Sequence, residues 1–67
     1  MIELTINGRP VELAAETPLL SYLEQLGIQP RAVAVELNGE ILERAVFPET
    51  GFRGGDEVEI VRMVGGG

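Results

Sequence analysis

The chain opens on Ile2-Glu3-Leu4-Thr5-Ile6, apolar at every second residue and joined at once to Asn7-Gly8. A period of two places Ile2, Leu4 and Ile6 on one face of a strand and Glu3 and Thr5 on the other, so the segment lies on a core with its back to water. Asn-Gly is the pair that best tolerates the two positive φ angles of a tight hairpin turn. The return strand then carries Val11 and Leu13 inward and Glu12 outward. Pro10, with no N–H to give the ladder, is confined to the start of that strand or to an edge. The chain therefore begins as a β-hairpin with one dry face, which a later segment has to cover.

The cover is a helix. Thr17 and Pro18 read as N-cap and first helical residue, because the missing N–H of proline costs nothing there. Leu19, Tyr22, Leu23 and Leu26 come next at i, i+3, i+4 and i+7 as one apolar stripe, and Gly27 can take the left-handed conformation that stops a helix. The spacing predicts a helix of about ten residues, with Leu20 off the stripe and toward solvent.

Past Gln29-Pro30, the run Ala32-Val33-Ala34-Val35-Glu36-Leu37 is apolar on both faces and reads as a central strand. Asn38-Gly39 marks a second tight turn into a short segment, Ile41-Leu42. From Glu43 to Gly55 the chain is irregular, interrupted by Pro48, Gly51, Gly54 and Gly55, with Val46, Phe47 and Phe52 as plugs under a loop or short 3₁₀ turn. A last strand runs from Glu57 to Val64 with Val58 and Ile60 inward. The order predicts an α+β fold, a mixed sheet of about four to five strands crossed by one main helix, of β-grasp type. A right-handed crossover sets the central strand parallel to the first, beside which the last strand can also lie.

Sixty-seven residues bury only roughly 60% of the surface the unfolded chain exposes. With 45% hydrophobic residues and no cysteine, the chain is expected to fold without disulfide or metal. Nothing resembles a signal peptide or approaches the roughly 20 apolar residues of a membrane span, so the expected location is the cytoplasm, with no membrane partner. Eleven acidic side chains against five arginines give a formal charge of −6. That disfavours nucleic acid, whose binding needs cations to displace phosphate counterions; the acidity serves solubility or docking onto a basic protein surface.

Reactive side chains are scarce: no His, Cys or Lys, one Ser (Ser21) and one Tyr (Tyr22). General-base and nucleophilic catalysis have almost nothing to use. Glu57 and Glu59 have the spacing of a solvated strand face rather than a catalytic pair, and Gly51-Phe52-Arg53-Gly54-Gly55 lacks the Lys-Ser/Thr and subsequent helix of a phosphate loop. The chain is therefore not expected to be an enzyme or to hold a cofactor.

Gly65-Gly66-Gly67 is the remaining signal. Residues 1–64 form the expected folded domain and residues 65–67 a flexible C-terminal tail. Glycines bury no side chain and are costly to order, but a tail without Cβ atoms can lie in a channel too narrow for side chains and present its carboxylate to a partner. Val61 and Met63 point away from the helix-covered face as candidates for an apolar docking patch; the other reading packs them under the 43–55 loop. Carboxylate transfer chemistry needs activation, for example as an acyl adenylate that a persulfide can attack. A chain without Lys or Cys offers its own activated end no side-chain amine or thiol.

Through Asn38-Gly39-Glu40, Gly55-Asp56-Glu57-Val58-Glu59-Ile60-Val61 and Val64-Gly65-Gly66-Gly67, the sequence resembles, over essentially its whole length, the ThiS sulfur carriers of thiamin biosynthesis. It departs from that pattern at Glu43-Arg44 and Phe47, where the family often has Pro-Arg and a Trp, and at Gly54-Gly55-Asp56, where Asp-Gly-Asp is common. The resemblance implies a ubiquitin-like β-grasp fold and a sulfur-carrying Gly67, with Val64, Gly65 and Gly66 entering the partner channel. It also implies three partners: an E1-like (ThiF-like) adenylyltransferase, a sulfur donor such as a cysteine desulfurase, and a ThiG-like thiazole synthase. Carriers for molybdopterin or tRNA thiolation and ubiquitin-like protein modifiers share this tail chemistry and stand as alternatives.

Overall fold

A computed structural model describes residues 1–63. The two Asn-Gly turns behave as their chemistry requires. Asn7 and Gly8 sit at φ 53° and 78°, and Asn38 and Gly39 at 51° and 88°. The first turn joins β1 (Ile2–Ile6) to β2 (Arg9–Leu13), antiparallel with Leu4 opposite Val11. The second joins β4 (Val33–Leu37) to a two-residue β5 (Glu40–Ile41), shifted by one residue from the expected Ile41-Leu42. β7 (Glu57–Arg62) completes a mixed five-stranded sheet in the order β2-β1-β7-β4-β5. This is the ubiquitin-like β-grasp arrangement.

Strand directions correct one expectation. β7, not β4, is the middle strand; it runs parallel to β1 and antiparallel to β4, so β4 is antiparallel to β1. The right-handed crossover governs the two strands that the helix joins directly, β2 and β4. These are parallel, and the helix passes over β1 and β7 between them.

The helix α1 spans Leu19–Leu26, eight residues, and Pro18 rather than Thr17 is its N-cap, without a side-chain cap bond. Thr17 is instead half of β3 (Thr17–Pro18), which pairs with β6 (Gly51–Phe52) in a small second sheet. Its hydroxyl donates to the Ala15 carbonyl at 2.9 Å. At the other end Gly27 is left-handed (φ 72°), the Gly27 N–H bonds the Glu24 carbonyl and the Ile28 N–H bonds the Leu23 carbonyl, the paired bonds of a Schellman cap. That cap swings Ile28 against the core and leaves Leu26 exposed, while Leu20 is half-buried rather than toward solvent.

Leu4, Ile6, Leu19, Leu23, Val33, Val35, Phe47, Phe52 and Val58 make up the core. Phe52 is fully buried and meets Tyr22 edge-on with ring centroids 5.5 Å apart. Phe47 plugs the sheet from a 3₁₀ segment, Arg44–Glu49, but its neighbour Val46 faces outward, since a 3₁₀ turn cannot aim adjacent residues at one core.

β7 is held at its start and again at Ile60 by the turn asparagines. The Asn7 carboxamide accepts from the Ile60 N–H at 2.8 Å and donates to the Ile60 carbonyl at 3.2 Å, extending the β1 ladder where β1 has already turned away. Asn38 Oδ1 accepts from the Glu57 N–H at 2.8 Å and Asn38 Nδ2 donates to Asp56 Oδ1 at 3.1 Å. The expected strand to Val64 is described only to Arg62; Val64, Gly65, Gly66 and Gly67 lie outside the described residues.

Candidate functional site

The surface around the end of β7 is built by register. Because the Asn38-Gly39 turn has two residues, Leu37 faces Glu40 and Glu36 faces Ile41. With Val33 and Val35 buried, that register turns Glu36 and Ile41 to the open face of the sheet. On β7, Glu59 lies opposite Glu36 and Val61 opposite Ala34. Ala34, Ile41 and Val61 therefore share one exposed face, framed by Glu36 and Glu59 around a shallow hollow of about 170 Å³. Ile41 is 78% and Val61 57% exposed. Such exposure of large apolar side chains on a small fold marks a surface that a partner can cover.

Met63, 47% exposed, lies past the strand's end. Its N–H bonds the Ala32 carbonyl at 2.9 Å, and its side chain joins a second hollow of about 330 Å³ with Gly27, Ile28, Gln29, Ala32 and Arg62. Of the two residues expected to form the docking patch, Val61 thus stands with Ala34 and Ile41, and Met63 with Ile28 and Ala32. Neither is packed under the 43–55 loop. The sequence reading misses Ile41, although the two-residue turn and the inward Val33 and Val35 place it outward by counting.

A larger hollow, about 680 Å³, lies at the opposite end and is lined by Glu16, Glu49, Arg53 and Asp56 among others. Asp56 is committed to structure: its two carboxylate oxygens take the Arg53 N–H at 2.8 Å and Asn38 Nδ2 at 3.1 Å. Among the described residues no three metal-ligating side chains come together, and no helix is long and apolar enough to cross a membrane.

The fold and sequence have known counterparts. The crystal structure of the thiamine biosynthesis protein ThiS from Geobacter metallireducens matches with a TM-score of 0.81 and 40% identity, over 98% of this chain and 100% of that one. The sulfur carrier protein ThiS of Thermus thermophilus is 39% identical over 62 residues, 92% of this chain and 95% of the relative. A thiazole synthase of Paramagnetospirillum magneticum is 36% identical over 98% of this chain, which spans 20% of the length of that protein. The ThiS family model matches residues 4–67, a span that takes in the whole glycine run. On that match, the fold and these relatives, the chain belongs to the ThiS family of small sulfur-carrier proteins.

Proposed function

We propose that this chain carries sulfur as a thiocarboxylate on Gly67 and delivers it to thiazole formation. The observation that carries the reading is that the family match extends through Gly67, so the glycines are part of the family pattern rather than an appendage. The similarity to a polypeptide named thiazole synthase supports a ThiG-like acceptor.

The chemistry starts from what a carboxylate lacks. Its oxygen is a poor leaving group, so an E1-like adenylyltransferase joins it to AMP and releases pyrophosphate. A persulfide, supplied by a cysteine desulfurase, then attacks the acyl carbon and AMP departs, leaving an acyl disulfide. A thiol reduces that disulfide and the thiocarboxylate remains. The body of the chain contributes position. Four residues come after Met63 and span at most about 13–14 Å when extended, so the activating centre lies within that reach of the end of β7. Val64, Gly65 and Gly66 occupy the channel.

Ordering those four residues costs roughly 4–8 kcal/mol. Burying the exposed parts of Ile41, Val61 and Met63 returns roughly 3–5 kcal/mol. The apolar patch thus offsets part of the ordering cost, and polar or ionic contacts supply the remainder.

The test is intact-mass analysis after incubation with the adenylyltransferase, ATP, a cysteine desulfurase and cysteine. The expected product differs by one sulfur in place of one oxygen, located at Gly67 by fragmentation. Deleting Gly67 abolishes loading and leaves the melting temperature unchanged. An unaltered mass, under conditions that load another ThiS protein, refutes the reading; adducts on target lysines favour a protein modifier.

A further inference from the structure

Charge is distributed unevenly along this molecule. At one end Glu3 faces Glu12 across β1 and β2, the Gly55 N–H bonds the Glu3 carbonyl, and Asp56 and Glu57 open β7 beside the Asn38-Gly39-Glu40 turn. Like charges directly opposite on a sheet destabilise it, so this crowding is a cost that the fold bears. Four of the five arginines lie toward the other end, where β7 finishes: Arg9 opposite Ile6, Arg62 opposite Val33, and Arg31 and Arg44 beside them; Arg53, beside Asp56, is the exception.

Three of those four converge. The Arg44 guanidinium reaches across from the 3₁₀ segment and donates to the Arg31 carbonyl at 3.2 Å. Arg31 Nε donates to Gln29 Oε1 at 3.1 Å. Gln29 in turn lines the 330 Å³ hollow together with Arg62 and Met63. All three arginines are exposed. The carboxylates on the same side are Glu24, one turn before the helix end, and Glu43, beside Arg44. The hollow thus brings the apolar Ile28, Ala32 and Met63 together with Arg62, and Arg31 and Arg44 are linked to it through Gln29, at the point where the chain leaves the sheet.

We infer that Arg31, Arg44 and Arg62 form a cationic collar at the tail exit, which docks onto a carboxylate-lined mouth of the channel that receives the tail. This rests on the sulfur-carrier reading of the tail and names the chemistry of the partner surface: an acidic loop that also seats an apolar side chain in the hollow. Guanidinium groups match carboxylates through paired N–H donors. The acidic far end opposes a polyanion such as nucleic acid, whereas a protein with a local acidic mouth meets only the collar. Orientation is set as well, because a molecule positive at its tail end and negative at the other approaches such a mouth tail first.

The experiment measures Kd and adenylation kinetics of the full chain with a purified E1-like adenylyltransferase. Arg31→Glu and Arg62→Glu are each expected to weaken binding about tenfold or more, with KM rising and kcat little changed. Arg62→Lys, which keeps the charge, restores most of the affinity. Wild-type binding weakens between about 50 and 300 mM salt, and the reversed variants lose that dependence. Arg53→Glu, at the far end, changes nothing. Circular dichroism checks that the variants fold; Arg44→Glu is read only alongside it, because Arg44 also holds the Arg31 carbonyl. If Arg31→Glu and Arg62→Glu both bind within twofold of wild type, or bind more tightly, the collar is overturned while the sulfur-carrier reading stands. If no adenylyltransferase that acts on another ThiS protein acts on the unaltered chain, both fall.

Discussion

Asn7 offers the sharpest test of how this fold is held, because its turn role and its side-chain role can be separated. The turn needs a residue at φ 53°, which glycine supplies as readily as asparagine. Asn7→Gly therefore keeps the turn and removes only the carboxamide that bonds the Ile60 N–H and carbonyl at 2.8 and 3.2 Å. Each such bond contributes about 0.5–1.5 kcal/mol net, and the extra freedom of glycine in the unfolded chain adds about 0.5 kcal/mol. The expected loss is thus about 1.5–3.5 kcal/mol, against a total stability of roughly 3–10 kcal/mol for a chain of this length. At about 4–8 °C per kcal/mol for folds of this size, the melting temperature falls on the order of 10 °C. Thermal denaturation monitored by circular dichroism measures this, and amide exchange shows the Ile60 N–H losing protection. Asn38→Gly removes the other clamp, and the double variant should be additive within about 0.5 kcal/mol because the two share no partner, one holding Glu57 and the other Ile60. An Asn7→Gly protein melting within about 2 °C of wild type, with Ile60 exchange unaltered, would refute the clamp.

Phe52→Ala removes a fully buried ring and its edge contact with Tyr22, and is expected to cost about 3–5 kcal/mol. That is a large share of the total stability, and urea titration registers it as a midpoint at much lower denaturant. Val61→Asp changes a side chain already 57% exposed and should alter stability by no more than about 0.5 kcal/mol; if the open face docks the activating enzyme, the same substitution raises KM for adenylation.

The parts of this fold that are legible in the sequence are those that local chemistry dictates. Both Asn-Gly turns, the inward Ile2-Leu4-Ile6 and Val58-Ile60, and the stop at Gly27 depend on residues adjacent in the chain. Sequence reasoning fails where a distant partner decides. Thr17-Pro18 satisfies the rules for a helix start equally well as for a short strand, and the strand forms because Gly51-Phe52, far along the chain, pairs with it. Helical spacing puts Leu26 on the stripe with Leu19, Tyr22 and Leu23, but the cap at Gly27 brings Ile28 into the core and Leu26 to the surface. Strand order is likewise hidden, since alternation says which face is buried and nothing about which neighbour is paired. At the candidate site, Val61 is readable as an outward residue. Ile41 requires propagating register through the second turn, and the arginine collar requires the loops to fold back on one another.

The placement of β7 bears on the proposed chemistry at the end of the chain. A strand on the edge of a sheet, gripped beyond its last residue by an enzyme, would be resisted by one ladder only. β7 has β1 on one side and β4 on the other, and where β1 stops short the Asn7 carboxamide takes over at Ile60. On the β4 side pairing continues to Arg62 opposite Val33, and the Met63 N–H still bonds Ala32. Hydrogen bonds thus hold the strand as far as Ile60 on one flank and Met63 on the other, so on the proposed reading a partner that orders the tail would act against a fixed anchor. Under the proposal, contacts at the collar and the open face would position the tail instead of distorting the sheet. The core that keeps this strand in place consists of nine buried apolar side chains among the described residues.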